Sequence, residues 1–301
     1  MIKAAIVHAF GEPPIFGEIA TPIIQPGEVL VQVKAAALSQ LVRAQASGKH
    51  YSSGKTMPMV PGADGVGVLA DGSRVYFAFP RGPVGAMAQT VAVSADQCVG
   101  LPDSVDDITA AAIANPGMSS WAALQERAHF KAGESVLING AAGVSGRLAI
   151  QVARYLGASR IIATARNPLV EGDLRKLGAD HFICLDQPVE QLTAAFREEI
   201  QGGGIDVVLD YLWGAPADCF INAAVSYGCG KAAPRIRFVN IGGLAGPSLA
   251  LAAGPLRGSG LEIMGSGLGS ISNADLVKIV GQLLNAIAPA GLKVEAQAVA
   301  L

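Results

Sequence analysis

Residues 135–149 constrain the fold of this chain more than any other segment. The apolar run SVLIN leads into the turn Gly140-Ala141-Ala142-Gly143-Val144-Ser145-Gly146, from which an amphipathic helix continues. Glycine permits a tight turn and lets backbone N–H groups approach a pyrophosphate at the helix N-terminus, while Gly146 lets the helix lie close to the sheet. The segment predicts dinucleotide binding. A purely structural turn and a methyltransferase of the same architecture are the alternatives.

Strands and helices alternate strictly after this turn. The apolar pattern predicts strands at 135–139, 160–165, 181–185, 205–209, 236–241 and 261–264, and helices at 144–156, 171–177, 189–200 and 217–227. Alternation of this kind, with continuous apolar strands, is typical of a doubly wound parallel sheet. A last helix begins at Ser272, where Asp275 completes a capping box.

The first third of the chain predicts short strands, at 28–36, 66–69, 74–79 and 89–93. Asp71-Gly72 is a hairpin turn signal between two of them. Two helices, 108–114 and 119–127, follow. We therefore predict an α/β protein of two domains. A β-rich substrate domain covers 1–117 and is joined by 272–301, and a Rossmann domain covers 118–271.

Charge and composition exclude several classes of function. The chain has 301 residues and a formal net charge of −2, and it contains no Lys/Arg run of the kind a nucleic-acid surface needs. Its longest apolar region, 108–124, is interrupted by Asn115 and Pro116, so no membrane span is expected. The start, MIKAAIVHAFGEPP, predicts a strand and a turn instead of a targeting segment. The four cysteines are Cys98, Cys184, Cys219 and Cys229. They form no C-x-x-C pair, which favours a reducing cytoplasm.

The end of the second parallel strand distinguishes NAD from NADP. An acidic residue there would hydrogen-bond the ribose 2′-OH and repel a 2′-phosphate. The sequence has Thr164-Ala165-Arg166-Asn167, with no acid. Arg166 suits a charge-assisted bond to the 2′-phosphate, so NADPH is the predicted cofactor. A solvated surface arginine is the alternative interpretation of Arg166.

Nearly the whole chain resembles the quinone oxidoreductase branch of the medium-chain dehydrogenase/reductase superfamily, which includes enoyl-thioester and alkenal reductases. The matching segments are MIKAAIV, GEVLVQVKAAALS, VPGADGVGVL, LPDSVDDITAAAIANPGMSSWAAL, GAAGVSGRLAIQVARYLGA, LRKLGAD and IDVVLDYLWG. The resemblance implies a GroES-like catalytic domain joined to a Rossmann domain, a nicotinamide cofactor and a homodimer. It does not identify the substrate.

Zinc members of this superfamily hold a catalytic metal with a cysteine and a His-Glu pair. The corresponding positions fall near Ser39 and Ala63-Asp64, and neither Ser39 nor Ala63 can replace a thiolate or imidazole ligand. The cysteine loop of a structural zinc is also missing. We therefore expect no metal. Quinones and α,β-unsaturated carbonyls are then the expected hydride acceptors, because hydrogen bonds alone can stabilise the anion that forms.

The resemblance also assigns individual residues. Ser39 stands where relatives often have Asn and would donate a hydrogen bond near the nicotinamide, although a helix-cap serine is an equally good interpretation. Tyr51 falls near a cleft-lining aromatic and would donate a proton, the alternative being a tyrosine packed on the surface. Three further groups match cofactor contacts: Ser119; Asn240-Ile241-Gly242; and Gly267-Leu268-Gly269.

The chain departs from the family at several positions. Relatives often have Tyr where this chain has Ala44, and NADPH-binding relatives often have Tyr at the position of Leu185. They also continue past a strand like 292–299 with a further helix and strand, whereas this chain ends at Leu301, so we expect a trimmed domain or a more open cleft. Asp210 is expected to organise the crevice at the strand ends without touching the substrate.

Two functions are compatible with this sequence. The first is a zinc-independent, NADPH-dependent oxidoreductase that transfers a hydride to a small hydrophobic quinone or α,β-unsaturated carbonyl in a cleft between the domains. The second is a nicotinamide-nucleotide-binding protein with little or no turnover and a regulatory or structural role. Five side chains suggest an apolar cleft surface, the alternative being that all five are core residues: Met57, Met59, Phe77, Phe79 and Leu268.

Overall fold

The structure is a computed structural model that describes residues 1–50, 53, 56–225 and 232–301. The chain divides into two compact units, one of Met1–Met118 with Ser272–Leu301 and one of Ser119–Ile271. Each unit has a hydrophobic core of its own.

The elements of the first part of the chain are mostly short strands. In chain order they are β1 (Ile2–Ile6), β2 (Ile15–Ile19), β3 (Glu28–Ala35), α1 (Gln40–Ala46), β4 (Asp64–Val68), β5 (Arg74–Ala78), β6 (Thr90–Ser94), a 3₁₀ turn (Ala95–Gln97), β7 (Cys98–Gly100), α2 (Asp107–Ala122) and a π-helical turn (Ala123–Arg127).

Strands and helices then alternate to the end of the second unit. They are β8 (Ser135–Asn139), α3 (Val144–Tyr155), β9 (Arg160–Ala165), a 3₁₀ turn (Pro168–Val170), α4 (Glu171–Lys176), β10 (His181–Cys184), α5 (Val189–Gly202), β11 (Val207–Asp210), α6 (Gly214–Ala223), β12 (Arg235–Asn240), α7 (Ala253–Arg257) and β13 (Gly260–Gly265). Helix α8 (Asn273–Ala290) belongs to the first unit.

An antiparallel sheet in the order β6-β3-β4-β5-β7 forms most of the first unit, and β1 pairs with β2 beside it. The predicted hairpin lies at Asp71-Gly72, where Gly72 adopts a φ of +86° that few other residues tolerate. Alternate side chains of these strands form the core, among them Val31, Val75 and Phe77. Phe77 is fully buried there, which agrees with the core interpretation of this residue and not with the cleft interpretation.

A parallel sheet in the order β10-β9-β8-β11-β12-β13 forms the centre of the second unit. Its central strands β8, β9, β11 and β12 are largely buried, whereas the edge strands β10 and β13 are partly exposed. Helices α5 and α6 cover one face through Phe196 and Phe220, whose rings pack together, and Phe220 also packs against Phe238. The predicted doubly wound α/β fold is confirmed. Because all six described strands run in parallel, their carboxyl ends meet along one edge of the sheet.

The sequence interpretation was wrong for two elements. Residues 108–114 and 119–127 were expected to form two helices, but α2 runs unbroken through Pro116 into the π-helical turn. The missing proline N–H costs one helical bond, which the burial of Ile113, Trp121 and Leu124 offsets. Residues 292–299 contain no strand, because they are mostly exposed and join none of the three described sheets.

The start of the last helix was predicted correctly. Ser272 is the N-cap of α8, and its Oγ accepts a hydrogen bond from the N–H of Asp275 at 3.1 Å. Searched across its described residues, the chain offers no helix with both the length and the apolar character required to span a bilayer.

Candidate nucleotide site

The glycine turn between β8 and α3 has the geometry of an anion site. Gly140 adopts a φ of +93°, and a Cβ on Gly146 would lie 2.5 Å from the carbonyl oxygen of Gly140. A Cβ on Gly143, by contrast, would meet no atom within 4 Å. The N–H groups of residues 142–145 precede or begin α3 and donate to no acceptor in the described residues. Free N–H groups at a helix N-terminus bind phosphate.

A chain of buried hydrogen bonds lies directly beneath this turn. The N–H of Gly140 donates to Thr164 Oγ1 at 3.0 Å, and the Thr164 hydroxyl donates to Asn139 Oδ1 at 2.9 Å. Asn139 Nδ2 in turn donates to Asp210 Oδ1 at 2.8 Å. Gly140 therefore shapes the turn, and its N–H is not available to a phosphate.

Asp210 ends β11 and is completely buried. Its carboxylate accepts the N–H groups of Leu212 and Trp213 at 3.1 Å and the side-chain amide of Asn240 at 3.1 Å. Desolvation raises the pKa of Asp210, and these donors oppose that rise. The expectation that Asp210 organises the strand ends agrees with these contacts.

The end of β9 presents an exposed cation. Ala165 is buried, and Arg166 is exposed, with no ion pair or hydrogen bond of its guanidinium among the described residues. Asn167 uses its Oδ1 to cap the following turn, accepting the N–H of Leu169 at 3.0 Å. On the neighbouring strand, Cys184 Sγ donates to the carbonyl oxygen of Arg166 at 3.3 Å, and Leu185 is half-buried.

Ser119 lies beside the ends of the central strands. Its Oγ is 3.3 Å from the hydroxyl of Tyr211, the residue that follows β11. Burial raises the pKa of Tyr211 to about 12, with hydrogen bonds from Ser119 and Ser120 acting in the opposite direction. The Tyr211 phenol is therefore neutral and serves as a hydrogen-bonding partner near neutral pH.

The loops after β12 and β13 lie at the same edge of the sheet. Asn240 Nδ2 also donates to the carbonyl oxygen of Gly242 at 2.8 Å, and the N–H of Ile241 donates to the carbonyl oxygen of Asp210 at 2.7 Å. A Cβ on Gly242 would lie 2.8 Å from the Tyr211 carbonyl oxygen. Gly269 has a φ of +95° next to the half-buried Leu268. The sheet topology thus places the predicted residues that follow β8, β9, β12 and β13 along one edge of the sheet. Ser119, on helix α2, reaches this edge through its contact with Tyr211.

The predicted residues of the first unit show a different arrangement. Ser39 is the N-cap of α1, where its Oγ accepts the N–H of Val42 at 3.3 Å, as the helix-cap interpretation required. His50, which precedes the predicted Tyr51 in the chain, is half-buried, and desolvation lowers its pKa. Tyr51 and Cys229 lie outside the described residues.

The residues at the family's zinc position do not fit a zinc ion. Ser39 and Ala63 offer no thiolate or imidazole, and the Asp64 carboxylate is buried against the Tyr76 hydroxyl, which donates to Oδ2 at 2.9 Å. Across the described ranges, no group of three or more His, Cys, Asp or Glu side chains is placed to hold a metal ion.

Asp64 is unusual because one of its oxygens is orphaned. Its Oδ1 is buried and has no hydrogen-bond partner. Desolvation raises the pKa of Asp64 from 3.8 to about 6, and the Tyr76 hydrogen bond opposes this rise.

Sequence reasoning missed Asn139, Thr164, Tyr211 and Leu212. The signal that would have found the first two is positional, because each is a polar residue at or next to the carboxyl end of an otherwise apolar strand. Tyr211 and Leu212 lie in a loop whose course depends on Asp210, and no local pattern predicts it.

Comparison with known proteins places the fold in a family. Residues 145–285 match the family model described as zinc-binding dehydrogenase. A probable NADPH-dependent quinone reductase of Emericella nidulans is 30% identical over 97% of this chain and 93% of its own length. The chain belongs to the medium-chain dehydrogenase/reductase superfamily, in its quinone oxidoreductase-like branch.

Two further relatives agree with this assignment. The human quinone oxidoreductase is 30% identical over 70% of this chain and 67% of its own length. The quinone oxidoreductase of Thermus thermophilus, whose structure is also known as a complex with NADPH, has a TM-score of 0.77 and 27% identity, covering 96% of this chain and 88% of its own. The description of the family model mentions zinc, but this chain has Ser39 and Ala63, which are not zinc ligands, at the positions of the family's metal.

Proposed function

We propose that this protein is a zinc-independent, NADPH-dependent oxidoreductase that reduces a quinone or an α,β-unsaturated carbonyl. Two features at neighbouring strand ends together carry the proposal. Four backbone N–H groups, at residues 142–145, are free, and the guanidinium of Arg166 at the next strand end has no ion pair among the described residues. A pyrophosphate and a 2′-phosphate need these two kinds of partner.

The residues of the site fit the parts of NADPH. The N–H groups of Gly143, Val144 and Ser145 would bind the pyrophosphate together with that of Ala142. Arg166 would pair with the 2′-phosphate, since the end of β9 has no acid to repel it. Asn167 would act indirectly, because its side chain caps the turn that follows Arg166.

The nicotinamide end is assigned to the loops at the other strand ends. Ser119, which the Tyr211 hydroxyl contacts, and the segments Asn240–Gly242 and Leu268–Gly269 would position the ring, as the resemblance implies. When bound, NADPH supplies a hydride to the acceptor. The protein then has only to orient the acceptor, exclude water and stabilise the anion that forms.

Two hydroxyls remain proposed donors to that anion. Ser39 Oγ accepts the N–H of Val42, and this leaves its own proton free to donate. Tyr51 is the second, proposed from the resemblance alone. A homodimer and a cytoplasmic location also stay predictions of the resemblance and of the cysteine pattern.

The proposal is tested by titrating the purified protein with NADPH and NADH and following the emission of Trp121, Trp213 and the nicotinamide. We expect NADPH to bind more tightly than NADH, and a subsequent screen of quinones and enones to reveal an acceptor that oxidises NADPH. Absence of binding by both cofactors would refute the assignment. Tight binding without turnover by any acceptor would favour the nucleotide-binding protein instead.

A further inference from the structure

We propose that Asp210 is a positioning residue that sets the conformation of the glycine turn and thereby the affinity for NADPH; the second half of this statement rests on the proposed function. Asp210 touches neither the turn nor any of its free N–H groups. It acts through two separate paths, and both end at Gly140.

The environment of the Asp210 carboxylate is the first argument. It is fully buried, and its described partners are two side-chain amides and two backbone N–H groups, with no cation among them. Burying a charge among neutral donors costs free energy. An ionised carboxylate only accepts hydrogen bonds, unlike a neutral amide or hydroxyl, so every hydrogen-bonding partner of Asp210 must be a donor.

Because Asp210 only accepts, it fixes which atom donates in each hydrogen bond of the first path, from Asn139 to Gly140. Asn139 must turn its NH₂ group towards Asp210, so its Oδ1 faces Thr164. The Thr164 hydroxyl must then donate to Asn139, which leaves its lone pair to accept the N–H of Gly140. The carboxylate therefore orients three successive hydrogen bonds and turns the Gly140 N–H inward.

The second path is steric. Asp210 accepts two successive N–H groups and so holds Trp213 at a φ of +55°, a conformation that a tryptophan rarely adopts. The same turn places Leu212 against Gly140, because a Cβ built on Gly140 would lie 2.9 Å from Leu212 Cδ2. Gly140 is thus hydrogen-bonded from one side and packed from the other.

The consequence concerns the residues that follow. The Gly140 N–H is directed inward and its φ is +93°, and the N–H of the buried Ala141 donates to the carbonyl oxygen of Thr164 at 2.8 Å. Residues 142–144 are exposed, and the N–H groups of 142–145 are left free. If the paths are broken, these groups lose their shared direction, although the strands beneath remain packed by their apolar side chains.

The test uses three variants and one control. Asp210→Asn removes the charge, Thr164→Val breaks the first path at its middle, and Thr164→Ser restores the hydroxyl. Asp206→Asn is the control, because Asp206 accepts hydrogen bonds from Ser135 at the opposite end of the sheet, through the N–H at 2.8 Å and Oγ at 2.9 Å.

Two measurements are made on each variant. Hydrogen exchange of the Gly140 amide, in protein without cofactor, reports the turn itself, and titration gives the Kd for NADPH. We expect Asp210→Asn and Thr164→Val to speed exchange at Gly140 and to raise the Kd at least tenfold. The Kd of Thr164→Ser for NADPH should stay within twofold of that of the wild type. The Kd of Asp206→Asn should do the same, even if the substitution lowers the free energy of unfolding.

The outcomes separate the two proposals. Unchanged exchange at Gly140 in Thr164→Val, or a Kd raised equally by Asp206→Asn and Asp210→Asn, would overturn the positioning role. Failure of the wild type to bind NADPH would instead overturn the proposed function, and the exchange measurement would still decide whether Asp210 controls the turn. If Asp210→Asn does not fold, the two Thr164 variants decide alone.

Discussion

At the scale of single residues, Arg166 is the side chain on which the cofactor preference depends. It is exposed, at the end of β9, and a charge-assisted bond to a phosphate contributes about 1.5–3 kcal/mol. We expect Arg166→Asp to weaken NADPH binding by roughly ten- to a hundredfold, on the basis of that free energy, and to strengthen NADH relative to it. Titration with both cofactors measures the change.

Arg197→Asp is the matched control for this substitution. Arg197 is an exposed arginine of α5, within the same unit, so the change in net charge is identical. An unchanged NADPH/NADH ratio in Arg166→Asp, or an equal change in both variants, would show that Arg166 is only a solvated surface residue.

Two glycines of the turn separate folding from binding. A Cβ at Gly146 would overlap the backbone of Gly140 and Ala141, so Gly146→Ala should lower both the free energy of unfolding and the affinity for NADPH. Gly143 has a φ of −74° and open space around it. Gly143→Ala should therefore unfold like the wild type in urea but bind NADPH more weakly, because the new methyl group occupies the approach to the free N–H groups. Equal unfolding curves for all three proteins would contradict the close approach at Gly146.

At the scale of elements, the pairing of β4 with β5 creates a buried acid. The pKa of Asp64 is raised from 3.8 to about 6, so the folded state favours its neutral form. The neutral form therefore contributes to the free energy of unfolding, and this contribution is fully present below about pH 4 and is lost as the pH rises through 6. A shift of about two units corresponds to roughly 3 kcal/mol.

Asp64→Asn should abolish this dependence, because asparagine is neutral at every pH. The free energy of unfolding of the wild type should fall relative to that of Asp64→Asn between pH 4 and pH 7, as measured with urea. Asp71→Asn provides the contrast, since hydrogen bonds from Ser73 lower the pKa of the exposed Asp71 and act in the opposite sense. A constant difference between wild type and Asp64→Asn across this range would show that Asp64 stays ionised.

At the scale of the whole molecule, no three His, Cys, Asp or Glu side chains among the described residues are grouped so as to hold a metal ion. Cys98 is on β7 of one unit, where burial raises its pKa to about 11, while Cys184 and Cys219 lie on β10 and α6 of the other. A thiolate ligand must lose its proton, which burial makes harder. We expect dialysis against a chelator to leave NADPH-dependent reduction unchanged and metal analysis to find no stoichiometric zinc. Loss of activity that added zinc restores would refute zinc independence.

The sequence by itself determined the order and type of most elements. The parallel strands are continuous apolar runs and the hairpin at Asp71-Gly72 has a strong turn signal, so local pattern and tertiary structure agree there. The glycine turn was also predictable, because its strand–turn–helix context is contiguous in the chain. Local pattern failed at Pro116 and at 292–299, where burial and the absence of a pairing strand in the described sheets decided the outcome.

The tertiary structure alone decided how the site residues are held. Thr164 and Asp210 follow Asn139 by 25 and 71 positions, and only the strand order β9-β8-β11 places the three side chains in one chain of hydrogen bonds. Ser39 shows the same limit, because the sequence fitted both a cap and a catalytic hydroxyl, and only the structure shows that its Oγ accepts the N–H of Val42. Local sequence specifies which residues end a strand, whereas the order of the strands decides which ends are neighbours, and hydrogen bonding requires neighbours within about 3 Å.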